Sequence, residues 1–254
     1  MNEFTFNNPS FPIVIQESSI VTNGLVLQYD FYNAKSYCNG FSTVTDLSAA
    51  RNNSQTITGS IVYQPTMRSM GFYADNSLGI IKTTFNPFVS MSATTQMTMC
   101  AWVSCSMYPS NGVYIARFVD TAASSGNYGT YLQWGSGYGI TSSNKLSCGS
   151  TNAGVSQIDV KSTASYATGS WVYMAGTYSG STVTLFINGV LTSTGSFSSG
   201  TANTQSMTIG GENYAGTYPY QLSGSIGSVQ MYNRALKINE ILQNFSASKR
   251  NYGY

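Results

Sequence analysis

Residues 169–191, with the sequence GSWVYMAGTYSGSTVTLFINGVL, decide the fold class of this chain. Side chains at 171–176 and again at 182–187 alternate between two faces with the period of two that is typical of β-strands. Residues 179–181 (Ser-Gly-Ser) break the alternation between the two runs. Asn188 and Gly189 follow the second run, and this pair favours a type I′ turn because both residues tolerate a positive φ. The stretch therefore predicts three strands, joined by two tight turns, in an antiparallel sheet.

Four segments of the chain resemble core strands of the laminin-G-like, concanavalin A-type jelly roll, and they occur in the order of that family. They are GLVLQYD at 24–30, MCAWV at 99–103, the 169–191 stretch, and GSIGSVQMYNRAL at 224–236. The resemblance extends from about residue 24 to residue 247 and implies an all-β fold, an antiparallel β-sandwich. The family includes lectins, carbohydrate-binding modules, adhesion domains and virion surface proteins, so the fold alone leaves the function open.

Smaller features agree with this picture. Asp46 lies in a segment, VTDLS, that resembles a family turn in which the Asp side chain can accept hydrogen bonds from backbone amides. Near the C-terminus, Ile238, Ile241, Leu242 and Phe245 have the i, i+3, i+4, i+7 spacing of a short amphipathic helix, which we expect to pack on the domain.

The N-terminal residues differ from the rest of the chain. Residues 1–22 are rich in Phe and Ile, and Pro9 and Pro12 favour an extended backbone before them. We therefore expect an extended arm at 1–22, a jelly-roll domain at 23–248 and a tail at 249–254. The arm is the expected contact with partner proteins, since apolar extended segments bind sheet edges and grooves.

The composition limits the classes of partner. Only 8% of residues are charged, and 11 basic against 9 acidic residues give a net charge of +2. Ordinary soluble domains have roughly 25% charged residues. This balance argues against nucleic acid and against an anionic membrane as partners. It favours a surface of Ser, Thr, Asn, Gly and Tyr, or one that partner proteins cover.

Catalytic groups are sparse. The chain has no histidine, which excludes His-based triads. Retaining glycosidases need two carboxylates about 5–5.5 Å apart, and members of this fold carry them on one strand. The nine carboxylates lie more than ten residues apart from one another in the sequence, at Glu3, Glu17, Asp30, Asp46, Asp75, Asp120, Asp159, Glu212 and Glu240. We therefore expect that the protein is not an enzyme.

We expect no metal and no cofactor. Many laminin-G-like modules bind Ca²⁺, but the positions that often carry an acidic pair in the last strand are Gly227 and Ser228 here. Asp75 and Asn76 remain weak candidate ligands for Ca²⁺, with turn formation as the simpler interpretation. The four cysteines are expected to be buried thiols. The alternatives are a disulfide and a zinc site, which the spacing of Cys100 and Cys105 allows but which would need all four cysteines because the chain has no histidine.

Aromatic residues supply the candidate contact sites. Trp102 and Trp171 lie in apolar strands, so we expect both to be buried. Exposed rings in Gly-rich and polar loops suit glycan contact, protein interfaces or simple loop packing. The predicted glycan or partner contacts are Tyr128, Trp134, Tyr138, Tyr214 and Tyr218.

The sequence thus favours a non-catalytic structural or adhesion protein displayed on a larger assembly, with a phage or large-virus particle as the favoured setting. Such a protein would be made in the host cytoplasm and would reside on the virion surface, because the first residues, MNEFTF, do not resemble a secretory signal. Host-surface glycans and a homo-oligomer are further partners that this hypothesis allows. A carbohydrate-binding lectin module is the alternative function, and a glycoside hydrolase is the third.

Overall fold

A computed structural model describes residues 19–73, 79–85, 96–106, 116–120, 129–135, 145–152, 155–196, 206–212 and 220–254. The described strands are β1 (Leu25–Asp30), β2 (Ser54–Thr58), β3 (Ile61–Gln64), β4 (Ser69–Phe72), β5 (Ile80–Thr83), β6 (Gln96–Cys105), β7 (Ala116–Asp120), β8 (Gly129–Trp134), β9 (Leu146–Asn152), β10 (Val155–Lys161), β11 (Val172–Ser179), β12 (Thr182–Ile187), β13 (Val190–Ser196), β14 (Thr208–Ile209) and β15 (Gly224–Tyr232). Helix α1 (Ile238–Ser248) and a 3₁₀ helix (Lys249–Tyr252) follow. No helix in these ranges is long and apolar enough to cross a membrane.

In these ranges the strands form two antiparallel sheets, which confirms the predicted all-β sandwich. The eight-stranded sheet has the order β13-β12-β11-β6-β15-β4-β3, and β1 also pairs with β15. The seven-stranded sheet has the order β10-β9-β8-β7-β14-β5-β2. The stretch 169–191 provides β11, β12 and the start of β13, as predicted. Asn188 and Gly189, with φ of 52° and 80°, form the turn between β12 and β13.

The alternation of side chains separates two apolar clusters. Met99, Ala101 and Val103 point between the two sheets, together with residues such as Val172 and Met174 from the neighbouring strand. Cys100 and Trp102 point to the outer face of the eight-stranded sheet, where a second cluster forms.

Helix α1 covers that second cluster, as the sequence predicted. Ile241 and Phe245 are buried against the sheet, and the Phe245 ring lies 5.7 Å from the Trp102 ring, between centroids. Ile238 and Leu242, by contrast, are 55% and 49% exposed. The amphipathic spacing therefore predicted the helix correctly, although half of its apolar side chains face solvent.

The described parts of both predicted tails pack on the domain. The Val21 amide donates to Asn244 Oδ1 of α1 at 2.8 Å, and the Tyr232 hydroxyl donates to the Val21 carbonyl at 3.0 Å. At the other end, the Tyr252 ring stacks on Trp102 at 4.3 Å. Residues 1–18 of the predicted arm lie outside the described residues.

Asp46 confirms the predicted turn. Its carboxylate accepts hydrogen bonds from the Ser48 amide at 2.8 Å and from the Gln28 and Asn52 amides at 2.7 Å each. The Ser48 hydroxyl adds a fourth hydrogen bond at 2.7 Å. This one side chain therefore ties the loop after β1 to the middle of β1.

Glu240 stabilises the start of α1 and makes the domain sensitive to acid. Its two carboxylate oxygens accept bonds from Arg234 at 2.7 and 2.8 Å, and one of them also accepts the Lys237 amide at 2.8 Å. The Arg234 hydrogen bonds lower the pKa of Glu240 from 4.5 to about 2. Because the folded-state pKa is depressed, the stabilisation is complete above about pH 4.5 and is lost as the pH falls towards 2.

We therefore expect Glu240→Gln to unfold at a lower temperature than the wild type at pH 6, and the two proteins to converge near pH 2. Thermal melts at pH 6, 4 and 2 provide the measurement. If the melting temperatures of the wild type and Glu240→Gln differ by the same amount at all three pH values, the expectation is contradicted.

Candidate functional site

Most of the predicted contact residues lie outside the described residues: Tyr128, Tyr138, Tyr214 and Tyr218, and with them the weak calcium candidates Asp75 and Asn76. Trp134 is described, and its predicted role as a surface contact is wrong, because its side chain is 0% exposed. Leu132 and Trp134 lie on the same face of β8 and both belong to the cluster between the sheets. The glycine-rich segment begins only after the strand, at Gly135, and so does not bring Trp134 to the surface.

The prediction for Trp171 is also corrected. Trp171 is half-buried and packs at the margin of the outer cluster rather than inside the core. It lies one residue before β11, and continuing the pairing of Val172 with Val103 by one residue places Trp171 opposite Ser104. The Gly169 amide donates to the Cys105 carbonyl at 2.7 Å and keeps the two chains together at this point. Trp102, by contrast, is fully buried as predicted.

A row of residues with small side chains extends from Trp171 across the outer face of the eight-stranded sheet. Ser104 pairs with Ser225, Ser225 pairs with Gly71, and Gly71 pairs with Val62 on the edge strand β3. With strands about 4.8 Å apart, this row is about 19 Å long. We call it the trough: Ser104, Ser225 and Gly71 form its floor, and Trp171 and Val62 stand at its ends.

The amide of Gln64 is held over the floor of the trough. Its Oε1 accepts hydrogen bonds from the hydroxyls of Ser69 at 2.9 Å and Ser225 at 3.0 Å. A Cβ added at Gly71 would lie 2.6 Å from Gln64 Nε2, so glycine is what allows the amide to lie flat on the sheet. The Gln64 Nε2 group is thus presented in a fixed position above the floor.

Tyr252 and Asp30 define the side of the trough that is nearest to α1. The Tyr252 ring lies 4.9 Å from the Trp171 ring, and its hydroxyl end lies directly over Gly227, where a Cβ would collide with it. Asp30 pairs with Ser228, the next residue of β15, and its Oδ1 accepts the Tyr32 amide at 3.0 Å. Burial raises the pKa of the Asp30 carboxyl.

A positively charged residue, Arg68, lies close to the segment that follows Asp30. The Arg68 guanidinium stands over the Tyr32 ring, 4.6 Å from its centroid. The β3–β4 turn thereby brings a positive charge close to the segment that follows Asp30.

The described residues of this surface include groups that can bind a polar ligand with apolar ring faces: the half-buried indole of Trp171, the Gln64 amide and the Asp30 carboxyl. The floor residues Ser104 and Ser225 are themselves buried, each 8% exposed. Among the described carboxylates, Asp46 accepts hydrogen bonds from backbone amides, and Glu240 accepts hydrogen bonds from Arg234. Within the described ranges, no group of three or more His, Cys, Asp or Glu residues could hold a metal ion.

Comparison with known proteins defines the class to which this fold belongs. Residues 81–242 match a laminin-G family model described as the concanavalin A-like lectin/glucanases superfamily. The chain therefore belongs to this family, as the resemblance of its strands indicated. No curated protein sequence matches the chain significantly.

Solved structures support the fold. Domain 4 of AbnA, an extracellular GH43 arabinanase from Geobacillus stearothermophilus solved with arabinotriose, has a TM-score of 0.65 at 17% identity; the match covers 88% of this chain and 99% of that domain. The binding domain of botulinum neurotoxin DC, solved with SialylT, has a TM-score of 0.65 at 15% identity, over 89% of this chain. A structure of botulinum neurotoxin type C, whose cell entry depends on interaction with two ganglioside molecules, also has a TM-score of 0.65, at 14% identity over 88% of this chain. The chain spans about half the length of these two toxin domains, 52% and 51%.

Proposed function

We propose that this protein is a non-catalytic recognition domain that binds glycans at the trough. The observation that carries the proposal is the row from Trp171 through Ser104 and Ser225 to Gly71, with the Gln64 amide fixed above it. A half-buried indole can stack on the apolar face of a sugar ring through C–H···π contacts, while the Gln64 amide forms hydrogen bonds with the sugar hydroxyls. The amide is held before the ligand arrives, which lowers the entropy cost of binding.

Two structures with a similar fold support a glycan as the ligand. One neighbour is a domain of an arabinanase in complex with arabinotriose, and another is a toxin binding domain in complex with SialylT. Their sequence identity to this chain is only 17% and 15%, so they support a class of ligand but not the position of the site. The position is inferred from the residues of this chain alone.

The proposal predicts that Trp171→Ala abolishes glycan binding and leaves the domain folded. We expect the signal of the purified protein on an array of plant and animal glycans to fall at least tenfold, because stacking of the indole is lost. The melting temperature should fall by only a few degrees, since Trp171 is half-buried.

The matched control is Leu191→Ala, which removes an exposed apolar side chain from the same sheet outside the trough. Gln64→Ala tests the fixed amide and should also weaken binding. If Trp171→Ala and the wild type give the same array profile, the trough is not the glycan site.

We also propose that binding needs no metal ion. The array signal should be equal in millimolar Ca²⁺ and in EDTA. A signal that is lost in EDTA would contradict this and would make Asp75 and Asn76 the first residues to replace.

The setting that we propose for this domain is the surface of a larger assembly, a virus or phage particle, reached through residues 1–22. The low charge of the chain, 8%, supports a surface that partners cover. A group of apolar side chains around the β12–β13 turn supports it too: Val190, Leu191, Ile238 and Leu242 are 49–65% exposed, and Leu242 contacts Gly189 of the turn. Exposed apolar groups of this kind mark protein contacts.

Deletion of residues 1–18 tests this setting. We expect the shortened protein to remain folded, since Val21 and the residues after it keep their contacts with α1, and to be missing from particles purified from the producing cells. Recovery of the shortened protein with particles at the wild-type level would contradict attachment through this segment.

A further inference from the structure

We propose that the C-terminal segment, residues 249–254, contributes to the glycan site by holding Trp171 in position. This inference rests on the proposed glycan-binding function of the trough. The segment was expected to be a tail, yet its two tyrosines make the contacts that hold Trp171 in place.

The local backbone brings both tyrosines back to the sheet. The 3₁₀ helix Lys249–Tyr252 ends at Gly253, which has a φ of 87°. This left-handed conformation reverses the chain at low cost only for glycine. The Tyr254 amide consequently donates to the Lys249 carbonyl at 3.2 Å, and Tyr252 and Tyr254 both reach the Trp102–Trp171 surface.

Tyr252 supports the Trp171 ring from the side. It is buried, stacks on Trp102 at 4.3 Å with an interplanar angle of 20°, and lies 4.9 Å from Trp171. The absence of a side chain at Gly227 provides the space for the Tyr252 hydroxyl end. Tyr252 therefore lies over Trp102 and Gly227 and fills the space beside the Trp171 ring on the side of α1.

Tyr254 holds the backbone of Trp171. Its hydroxyl donates to the Trp171 carbonyl at 2.7 Å and accepts from Asn188 Nδ2 at 3.2 Å. The Oδ1 of Asn188 in turn accepts the Tyr173 amide at 2.9 Å. Trp171 precedes the first residue of β11, and the backbone pairing of that strand begins only at Val172. The hydrogen bonds of Tyr254 and Asn188 therefore fix the Trp171 backbone where the strand pairing does not.

The consequence is a coupling between the segment and the ligand. A glycan that stacks on Trp171 binds only when the segment is docked and holds the indole in position. Displacement of the segment therefore lowers the apparent affinity by the fraction of molecules in which the indole is no longer held. By reciprocity, a bound glycan strengthens the docking of the segment.

Tyr254→Phe tests the inference. This change removes one hydroxyl and leaves both rings, whereas deletion of residues 249–254 would uncover Trp102 and could unfold the domain. The control is Asn251→Ala, which alters an exposed residue of the same segment. Proteins labelled with 5-fluorotryptophan give one ¹⁹F resonance for each of the three tryptophans, and these are assigned with single Trp→Phe variants.

We expect Tyr254→Phe to shift or broaden the Trp171 resonance and to leave that of Trp134 unchanged, since Trp134 lies between the sheets. On the glycan array, the variant should bind about fivefold more weakly, which is the effect of losing one hydrogen bond. Asn251→Ala should match the wild type in both measurements. A purely structural role would lower the melting temperature without this selective effect on Trp171.

The outcomes separate the two proposals. If Trp171→Ala abolishes binding but Tyr254→Phe changes neither the Trp171 resonance nor the array signal, the inference about the segment is wrong and the trough remains the site. A shifted Trp171 resonance with unchanged binding also contradicts the inference. If Trp171→Ala binds as well as the wild type, the trough is not the glycan site, and the inference that the segment contributes to that site is wrong as well.

Discussion

Trp102→Ala is expected to lower the free energy of unfolding by about 3–5 kcal/mol, the usual effect of truncating a fully buried aromatic side chain. Trp102 is 0% exposed and lies at the centre of the cluster between the eight-stranded sheet and the C-terminal elements. Its ring contacts Tyr252, Phe245 and Tyr173 at centroid distances of 4.3, 5.7 and 5.4 Å. Its Nε1 donates to Ser248 Oγ at 2.7 Å, so the variant also loses a partly buried hydrogen bond.

Urea unfolding monitored by circular dichroism measures this loss. Trp102→Phe keeps an aromatic ring but loses the hydrogen bond to Ser248, and it should have an intermediate stability. Trp171→Ala is the second comparison and should cost clearly less, because that side chain is half-buried. Equal losses for Trp102→Ala and Trp171→Ala would contradict the distinction between the two tryptophans.

Asp46→Ala is expected to destabilise the domain by about 3 kcal/mol or more, since each buried donor left without a partner costs about 1–3 kcal/mol. The Asp46 carboxylate is 0% exposed and accepts hydrogen bonds from the amides of Gln28, Ser48 and Asn52, as well as from the Ser48 hydroxyl. All four donors lose their acceptor in the variant. The loop that follows β1 then loses its connection to that strand.

Asp46→Asn is the matched control. It keeps the shape of the side chain and one acceptor oxygen but presents an NH₂ group to donors, so it should fall between the wild type and Asp46→Ala. The same urea experiment provides the measurement. A loss of less than 1 kcal/mol for Asp46→Ala would show that water or a rearranged loop replaces the carboxylate.

Three features could be predicted because they depend on residues close in sequence. The β11–β12–β13 meander follows from alternation and from the Asn188–Gly189 turn, both of which are local properties of the backbone. Helix α1 follows from the spacing of its apolar residues, and the hydrogen bond from the Ser48 amide to Asp46 spans two positions. Local sterics and hydrogen bonding are sufficient for such elements.

The hairpin of β9 and β10 was not predicted, although residues 146–149 alternate. Leu146 and Cys148 belong to the core between the sheets, while Ser147 and Gly149 occupy the alternate positions of the strand. Glycine is depleted in strands, so the local sequence only weakly favours an extended strand here. The pairing of β9 with β8 stabilises the strand instead. Burial of two apolar side chains under a neighbouring sheet outweighs that weak preference.

The sequence by itself predicted antiparallel strands and a C-terminal helix, because these features repeat with the period of a strand or a helix, and the resemblance of four segments to a known family implied the jelly roll. Only the tertiary structure decided which tryptophan is accessible. Trp134 precedes Gly135 and Trp171 follows Gly169 by two residues, yet Trp134 points between the sheets and Trp171 points to the outer face. The direction depends on the register of each strand with a partner far away in sequence, and a shift of one residue would reverse it. The trough has the same origin, since Trp171, Ser104, Ser225 and Gly71 become neighbours only when four strands pair.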